Sequence, residues 1–222
     1  MMLFKKLLSY LYPITLFKAN SDISKTIEVT LSGGELVLDS KNANYSYGSL
    51  QRVLRLGLKR IGFSNILKMD NILVLGVAGG SVIKTLTQEI EYKGKITGVE
   101  IDQYIIDIAN RYFKLDQIKN LNLVIDDAFE FVLKTREKYD LIIIDIFQDT
   151  KMPNFLYEEF FKDRILFLLK EKGFILFNTM ILDKESEAKN KEYVTYYKCK
   201  VKSVEVVSNV ENFNEIIITQ RY

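Results

Sequence analysis

Three acidic residues each follow a short aliphatic run, at the point where a buried strand would end. Glu100 follows KITGV, Asp127 follows LNLVID, and Asp145 follows LIII. A carboxylate can accept the protons of neighbouring hydroxyl groups or of an amine. At the mouth of a buried strand it is also desolvated, which raises its pKa and makes it a plausible base. These residues therefore indicate recognition of hydroxyls and amines, combined with proton transfer.

A turn of small residues, Gly76-Val77-Ala78-Gly79-Gly80-Ser81, follows the run NILVL. Such a turn lets the backbone approach a ligand at a helix N-terminus, although a tight strand-to-helix turn also needs glycine for structural reasons. Glu100 lies twenty-four residues beyond Gly76, close to the ~20-residue spacing at which an acid reaches ribose hydroxyls. The pairing favours a ribose role for Glu100 over a solvated strand end. The predicted cofactor-binding residues of this region are Gly76, Ala78, Gly79, Gly80, Glu100 and Ile101.

The remaining acids have competing interpretations. Asp102 stands where a helix begins and is interpreted as its N-cap. Either Asp126 or Asp127 could cap the next helix, and Asp127 could also accept a hydrogen bond from the amine of adenine. Asp127, Ala128 and Asp145 are further predicted cofactor-binding residues. The loop IFQDTKMPN after Asp145 contains a second acid, Asp149. Asp145 and Asp149 are the predicted catalytic residues, and two acids in one loop favour a cationic or amine substrate.

The elements that must position these residues alternate regularly. Aliphatic runs are followed by helical patterns near residues 80–91, 102–113, 128–137 and 155–170. This alternation predicts an α/β fold with a doubly wound, mostly parallel sheet, and ligands bind outside the carboxyl ends of such strands. VKSVEVV and NEIIITQ leave no room for a crossover helix, so they should form an antiparallel C-terminal hairpin. Together these features predict a seven-stranded Rossmann-like methyltransferase fold over residues 47–222.

Residues 1–46 are predicted to form a small appendage to that domain. KTIEVTLSGGELVLD reads as a β-hairpin with its turn at Gly33-Gly34. The first twenty residues lack a signal-cleavage pattern and any run long enough to cross a bilayer, so they are expected to form a docking helix or an interfacial segment. No integral membrane segment is expected, and a cytoplasmic location fits the single cysteine, Cys199, which is expected to be buried.

The composition excludes several classes of chemistry. The 222 residues contain no histidine, which excludes Ser-His-Asp triads, Cys-His pairs and most zinc sites. A metal is not expected. The net charge of +2, from 31 basic and 29 acidic residues, gives no reason to expect a nucleic acid partner. A small molecule is the expected substrate, and a homodimer is the protein assembly considered.

The ordered series VLGVAGGSVIKTL, GVEIDQYIIDIANRYF, LVIDDAFEFV, YDLIIIDIFQD and KGFILFN resembles spermidine synthases and their relatives over about residues 25–180. The resemblance implies S-adenosylmethionine or its decarboxylated form as cofactor and a link to polyamine biosynthesis. It implies that Glu100 holds the ribose, Asp127 the adenine amine and Asp145 the substrate amine. It also places Tyr45, Tyr47 and Gln148 on the substrate side, where the tyrosines could contact an amine or could simply pack.

The sequence departs from that family at the cofactor's tail. Spermidine synthases carry an acid in the turn G-G-G-D-G, where it pairs with the aminopropyl ammonium, and Gly79 occupies the matching position here. An acid there would repel the carboxylate of intact S-adenosylmethionine, so its loss favours the ordinary methyl donor. The D-x-x-D pattern is also altered, because Gln148 holds the expected place and Asp149 comes one residue late. Methyl transfer is therefore ranked first, aminopropyl transfer second, and a non-catalytic cofactor-binding or dimerisation protein third.

Overall fold

The computed structural model describes residues 2–21, 23, 25–40, 44–147 and 151–222. The chain begins with a short helix and a four-stranded antiparallel sheet, in the order β1-β2-β3-β4. These elements are α1 (Met2–Leu8), β1 (Ile14–Ser21), β2 (Lys25–Ser32), β3 (Glu35–Ser40) and β4 (Asn44–Ser46).

The expected hairpin is confirmed as β2 and β3. Its turn places Gly33 and Gly34 at φ values of 57° and 81°, a region that glycine enters without steric cost. The expected N-terminal helix is confined to α1. Residues 14–21 instead form β1, which pairs with β2 along its whole length, from Ile14 opposite Leu31 to Ser21 opposite Lys25. β1 is defined by its pairing with the next strand along the chain, and its own residues did not indicate a strand.

The rest of the chain alternates between strands and helices. The helices are α2 (Gly48–Ile61), α3 (Phe63–Ile66), α4 (Ser81–Lys84), α5 (Gln103–Ile108), α6 (Ala128–Lys134), α7 (Glu159–Leu168) and α8 (Lys184–Lys198). The strands are β5 (Asn71–Leu75), β6 (Lys95–Glu100), β7 (Leu121–Ile125), β8 (Tyr139–Ile144), β9 (Leu169–Met180), β10 (Ser203–Val210) and β11 (Asn214–Gln220). Helices α4 and α5 each continue into a π-helical turn, Thr85–Glu89 and Ala109–Phe113.

The seven strands form one sheet in the order β10-β11-β9-β8-β5-β6-β7. Strands β5 to β9 pair in parallel, whereas β11 is antiparallel to both β9 and β10. The predicted Rossmann-like methyltransferase fold with an antiparallel C-terminal pair is therefore confirmed. The strand order reverses between β5 and β8, which is where an open α/β sheet binds its ligand.

The core lies on both faces of this sheet. Every residue of β5 is buried, and its side chains alternate between two apolar clusters: Ile72 and Val74 face one, and Leu73 and Leu75 face the other. Cys199, expected to be buried, is exposed, because it follows the last turn of α8 at the surface. None of the described helices is long and apolar enough to cross a membrane.

Candidate functional site

A cleft opens at the carboxyl ends of β5, β6, β7 and β8. Its walls are mainly apolar, but four carboxylates face it, and no Lys or Arg is among the described residues that line it. The lining residues are Ile23, Leu50, Gly76, Ala78, Val99, Glu100, Ile101, Ile105, Asp126, Asp127, Ala128, Asp145, Ile146, Phe147, Pro153 and Phe155. Such a cleft suits a ligand with an apolar body, hydrogen-bonding hydroxyls and positive charge.

The turn after β5 forms the floor of the cleft and requires small residues. Gly76 has φ 87°, and a Cβ atom there would lie 2.1 Å from the main-chain oxygen of Asp145. Ala78 also has a positive φ, 45°, and Gly80 caps α4 at φ 78°. No larger residue fits at position 76, because the clash is with backbone. The turn thereby brings the main chain of β5 and β8 together at the strand ends.

Glu100 is buried at the end of β6 and is bonded to the main chain around it. Its Oε2 accepts hydrogen bonds from the N–H groups of Val77 and Ala78, at 3.1 and 2.9 Å, and its Oε1 accepts from those of Ile101 and Asp102, at 3.0 and 3.2 Å. Burial raises the pKa of Glu100, while these four bonds oppose that rise. The carboxylate therefore ties the glycine turn to the start of α5.

Asp127 confirms its predicted role as a helix cap. Its Oδ1 accepts from the N–H groups of Phe129 and Glu130, at 2.7 and 3.4 Å, at the start of α6. Both bonds use Oδ1, so within the described residues Oδ2 takes no part in the cap. Asp102 caps α5 in the same way, by accepting from the N–H of Tyr104 at 3.0 Å. Asp127 can thus hold its helix and still offer an acceptor to the cleft.

Asp145 follows β8 directly and lies opposite the turn. Desolvation by burial raises its pKa to about 7; the hydrogen bond from Asn178 opposes this rise, and the negative charge of Glu100 adds to it. Nδ2 of Asn178 donates to Oδ1 of Asp145 at 2.8 Å. A carboxylate with this pKa can take a proton from an amine near neutral pH.

Gly79 lies against the end of β4 in the N-terminal sheet. A Cβ atom there would lie 2.8 Å from Cβ of Ser46 and 3.2 Å from the ring of Tyr47. Oγ of Ser46 accepts from the N–H of Ser81 at 3.1 Å, and the hydroxyl of Tyr47 donates to the carbonyl of Gly79 at 3.1 Å. The end of β4 therefore occupies the space that a side chain at position 79 would need.

Most of the predicted site residues meet at this cleft. Those that line it are Gly76, Ala78, Glu100, Ile101, Asp127, Ala128 and Asp145. Gly79 and Gly80 belong to the same turn but are not among the lining residues. Tyr47 is buried and stacks on Phe113, with ring centroids 4.5 Å apart, so the structure gives it a packing contact. Gln148, Asp149 and the side chain of Tyr45 lie outside what the structure describes, and their predicted roles stay predictions.

Several lining residues were missed by the sequence interpretation. Asp126, next to the chosen Asp127, also faces the cleft, and Phe147, Pro153 and Phe155 supply one apolar wall. Asn178 touches Asp145 from the neighbouring strand. The register of β8 and β9, which pairs Ile144 with Phe177, makes Asp145 and Asn178 neighbours. The sequence pattern alone does not indicate this contact, because it depends on the register between β8 and β9.

The match to known proteins agrees with the fold and the cleft. Residues 58–215 match the family model for the spermine/spermidine synthase domain. A polyamine aminopropyltransferase from Saccharolobus solfataricus is 30% identical over 165 residues, which cover 68% of this chain and 52% of that protein. This chain thus matches about half the length of that relative.

Solved structures share the same architecture. Spermidine synthase from Thermotoga maritima has a TM-score of 0.71 at 18% identity, over 94% of this chain and 73% of that one. Human methyltransferase-like protein 13, solved in complex with SAH, has a TM-score of 0.62 at 20% identity, over 79% and 83% of the two chains. These likenesses show that the chain has the Rossmann-like methyltransferase fold. The chain belongs to the spermine/spermidine synthase domain family.

Proposed function

We propose that this protein is an S-adenosylmethionine-dependent transferase that methylates a small, amine-bearing acceptor. The observation that carries the proposal is the convergence of the glycine turn, Glu100 and Asp127 on one cleft, with Asp145 beside them. The titles of the structural neighbours support this choice of cofactor, since one names SAH and another, from Aeropyrum pernix, names S-adenosyl-L-methionine.

The residues fit an adenosyl group by their chemistry. Asp127 offers an acceptor to the amine of adenine while capping α6, and Glu100 offers two carboxylate oxygens to a ribose. All four N–H groups around Glu100 already donate to it, and a carboxylate has about four acceptor sites. Ribose binding therefore requires Glu100 to exchange some amide bonds for hydroxyl bonds.

The cofactor supplies an electrophilic methyl group on a sulfonium. When the cofactor is bound, this methyl group would pass to the acceptor nitrogen, and the electron pair of the carbon–sulfur bond would stay on sulfur in a neutral thioether. Asp145 takes the proton that the nitrogen must lose. The acidic lining stabilises both the sulfonium and the acceptor ammonium before reaction, and the apolar wall excludes water.

Aminopropyl transfer to a diamine is the second candidate, and family membership together with Asp145 favours it. Against it stands Gly79, where the acid for the aminopropyl ammonium is missing and where Ser46 and Tyr47 fill the space. A homodimer, a cytoplasmic location and a role in polyamine biosynthesis accompany these proposals as expectations. A protein that binds the cofactor without turnover would correspond to the non-catalytic alternative.

Calorimetry tests the proposal directly. We expect S-adenosylmethionine and its thioether product to bind at least as tightly as decarboxylated S-adenosylmethionine, and Glu100→Gln to weaken binding about tenfold or more, which corresponds to about 1.4 kcal/mol. Glu130→Gln, which alters an exposed carboxylate on α6, is the matched control and should bind as the native protein does. Clear preference for the decarboxylated form with putrescine turnover would reverse the ranking, and no binding of any adenosyl compound would refute both candidates.

A further inference from the structure

Six large apolar side chains at the start of the chain are exposed, although the segment that carries them is attached to the protein. They are Leu3 (76% exposed), Phe4 (67%), Leu7 (63%), Tyr10 (65%), Leu11 (80%) and Tyr12 (54%). We call these six residues the N-terminal apolar face. Single exposed apolar residues are ordinary, but a contiguous group marks a surface that binds something.

The segment is held mainly by hydrogen bonds around Ser9, and of the six side chains the ring of Tyr10 lies against Gly34. Ser9 is buried; its main-chain oxygen accepts from the N–H of Gly33, and its Oγ accepts from the N–H of Gly34, both at 2.9 Å. Oγ of Ser9 also donates to the carbonyl of Lys6 at 2.7 Å. The end of α1 is therefore fixed on the β2–β3 turn, and the N-terminal apolar face is left open to solvent.

The charges that the segment itself carries all have one sign. At 100° per residue, Leu3, Phe4 and Leu7 share one side of α1, and Lys5 and Lys6 lie on the other. Residues 2–20 contain no Asp or Glu. An apolar face with lysines on the opposite face is the pattern of a helix that lies in the interface of an anionic membrane.

A second copy of the chain would fit this face less well. A twofold contact through the same patch brings Lys5 and Lys6 of both copies together, and residues 2–20 supply no acid to compensate. Anionic headgroups complement the lysines, while the acyl boundary accommodates the apolar side chains. We propose that the N-terminal apolar face docks on an anionic membrane surface, with Leu3, Phe4 and Leu7 inserted and the lysines at the headgroups.

The geometry leaves the cleft accessible in this arrangement. Strand β1 starts beside α1 and ends at Ser21, whose side chain donates to Asp102 near the cleft. Its eight residues, at ~3.3 Å each, separate the two by roughly 25 Å. Docking through α1 would therefore hold the protein at the surface without covering the cofactor site, and it does not depend on which group is transferred.

Vesicle flotation of the full chain tests this inference. We expect the protein to float with vesicles of equal parts phosphatidylglycerol and phosphatidylcholine, to remain unbound with pure phosphatidylcholine, and to dissociate as salt is raised. The triple variant L3S/F4S/L7S and the double variant K5E/K6E should each reduce binding about tenfold or more. Circular dichroism should show that both remain folded, because none of these side chains is in the core.

A matched control replaces three similarly exposed apolar residues elsewhere. The variant L67S/F160S/F213S alters side chains that are 53%, 59% and 57% exposed, and it should float as the native protein does. The inference is overturned if the native protein binds neutral vesicles as well as anionic ones, or binds neither kind. It is also overturned if L67S/F160S/F213S loses as much binding as L3S/F4S/L7S does. It is also overturned if light scattering shows an oligomer that L3S/F4S/L7S converts to a monomer, since that assigns the face to self-association.

Discussion

The side-chain amide of Asn178 donates from Nδ2 to Oδ1 of Asp145 at 2.8 Å, and its own Oδ1 accepts from Nδ2 of Asn214 at 2.9 Å. Asn178 is fully buried on β9, between β8 and β11. The two contacts together fix which end of the Asn178 amide faces the carboxylate, because a flipped amide would set oxygen against oxygen at Asp145 and nitrogen against nitrogen at Asn214. Three strands thus cooperate to present one acid to the cleft.

Asn178→Leu should shift the pH dependence of the reaction. Removing the donor withdraws stabilisation of the charged carboxylate, so the pKa of Asp145 should rise above its native value of about 7. Since the base form exists above this pKa, kcat/KM should increase with pH around a higher midpoint than in the native protein. Carbon NMR of the Asp145 carboxyl group measures the same shift without an acceptor.

The control for this prediction is Asn190→Leu. Asn190 is equally buried, but its Nδ2 donates to Glu215 at 3.1 Å and not to Asp145. It should lower stability and leave the midpoint in place. If both variants leave the midpoint unchanged, Asn178 does not act on Asp145.

Asp145→Asn should make the protein more stable at neutral and higher pH. The pKa of Asp145 is about 7 in the folded protein against an ordinary value of 3.8, so the folded state retains a proton that the unfolded state has lost. Its contribution to stability is present below about pH 4 and is lost as the pH rises through about 7. Because an asparagine side chain cannot ionise, the variant does not lose this stability, and above about pH 7 its free energy of unfolding should exceed that of the native protein by up to about 4 kcal/mol.

Urea unfolding at about pH 5 and about pH 8 measures that gain. Asp116→Asn, at an exposed carboxylate, is the comparison and should change little between the two conditions. If the native protein and Asp145→Asn are equally stable at the higher pH, burial does not raise the pKa of Asp145 in the folded protein.

Two substitutions at Asp127 should separate its two roles. Asn retains a side-chain oxygen for the N–H groups of Phe129 and Glu130, whereas Ala removes the cap and should cost about 1 kcal/mol of unfolding free energy. Both should weaken binding of an adenosyl ligand, because Asn presents an amide group where the carboxylate offered a second acceptor. Thermal unfolding and calorimetry measure the two effects. If Asp127→Asn binds the adenosyl ligand with native affinity, Asp127 acts only as a helix cap.

Gly79→Asp should not by itself create a site for the decarboxylated cofactor. The new side chain would meet Ser46 and Tyr47, and we expect a loss of about 1–3 kcal/mol from overpacking. Ser46→Gly combined with Gly79→Asp should recover part of that loss, although it removes the acceptor for the N–H of Ser81. Only the double variant should shift the ratio of affinities toward the decarboxylated form. A shift in the single variant would show that β4 moves easily.

The parallel part of the fold could be predicted because its signals are local. β6, β7 and β8 each contain an aliphatic run, and an acid stands at or just after the end of each strand. Glu100, Asp127 and Asp145 could therefore be assigned to one edge of the sheet before any coordinates. Because parallel strands have their carboxyl ends at the same edge of the sheet, these three positions could be predicted to form one site.

Other features were beyond local patterns. α8 has few aliphatic residues; it buries Tyr193 and Tyr197, and its capping box of Asp183 and Ser186 is a weak signal without an apolar stripe. β1 depends on pairing with β2. Asn178 stands in an apolar run where nothing local indicates a polar partner. Each of these is fixed by contacts with another segment of the chain and not by a pattern within its own residues.

Strand β11 lies inside the sheet, although it comes after β10 in the sequence. Residues 181–213 connect β9 to β11 and include α8 and β10. Strand β11 then pairs with residues 174–180 of β9. The order of assembly during folding is therefore constrained: β10 can join the sheet only together with β11 or after it, and non-local closure between β9 and β11 slows the search for the native state. The amide of Asn214 reaches Asn178 in that late step, so catalytic competence should appear after most of the secondary structure has formed.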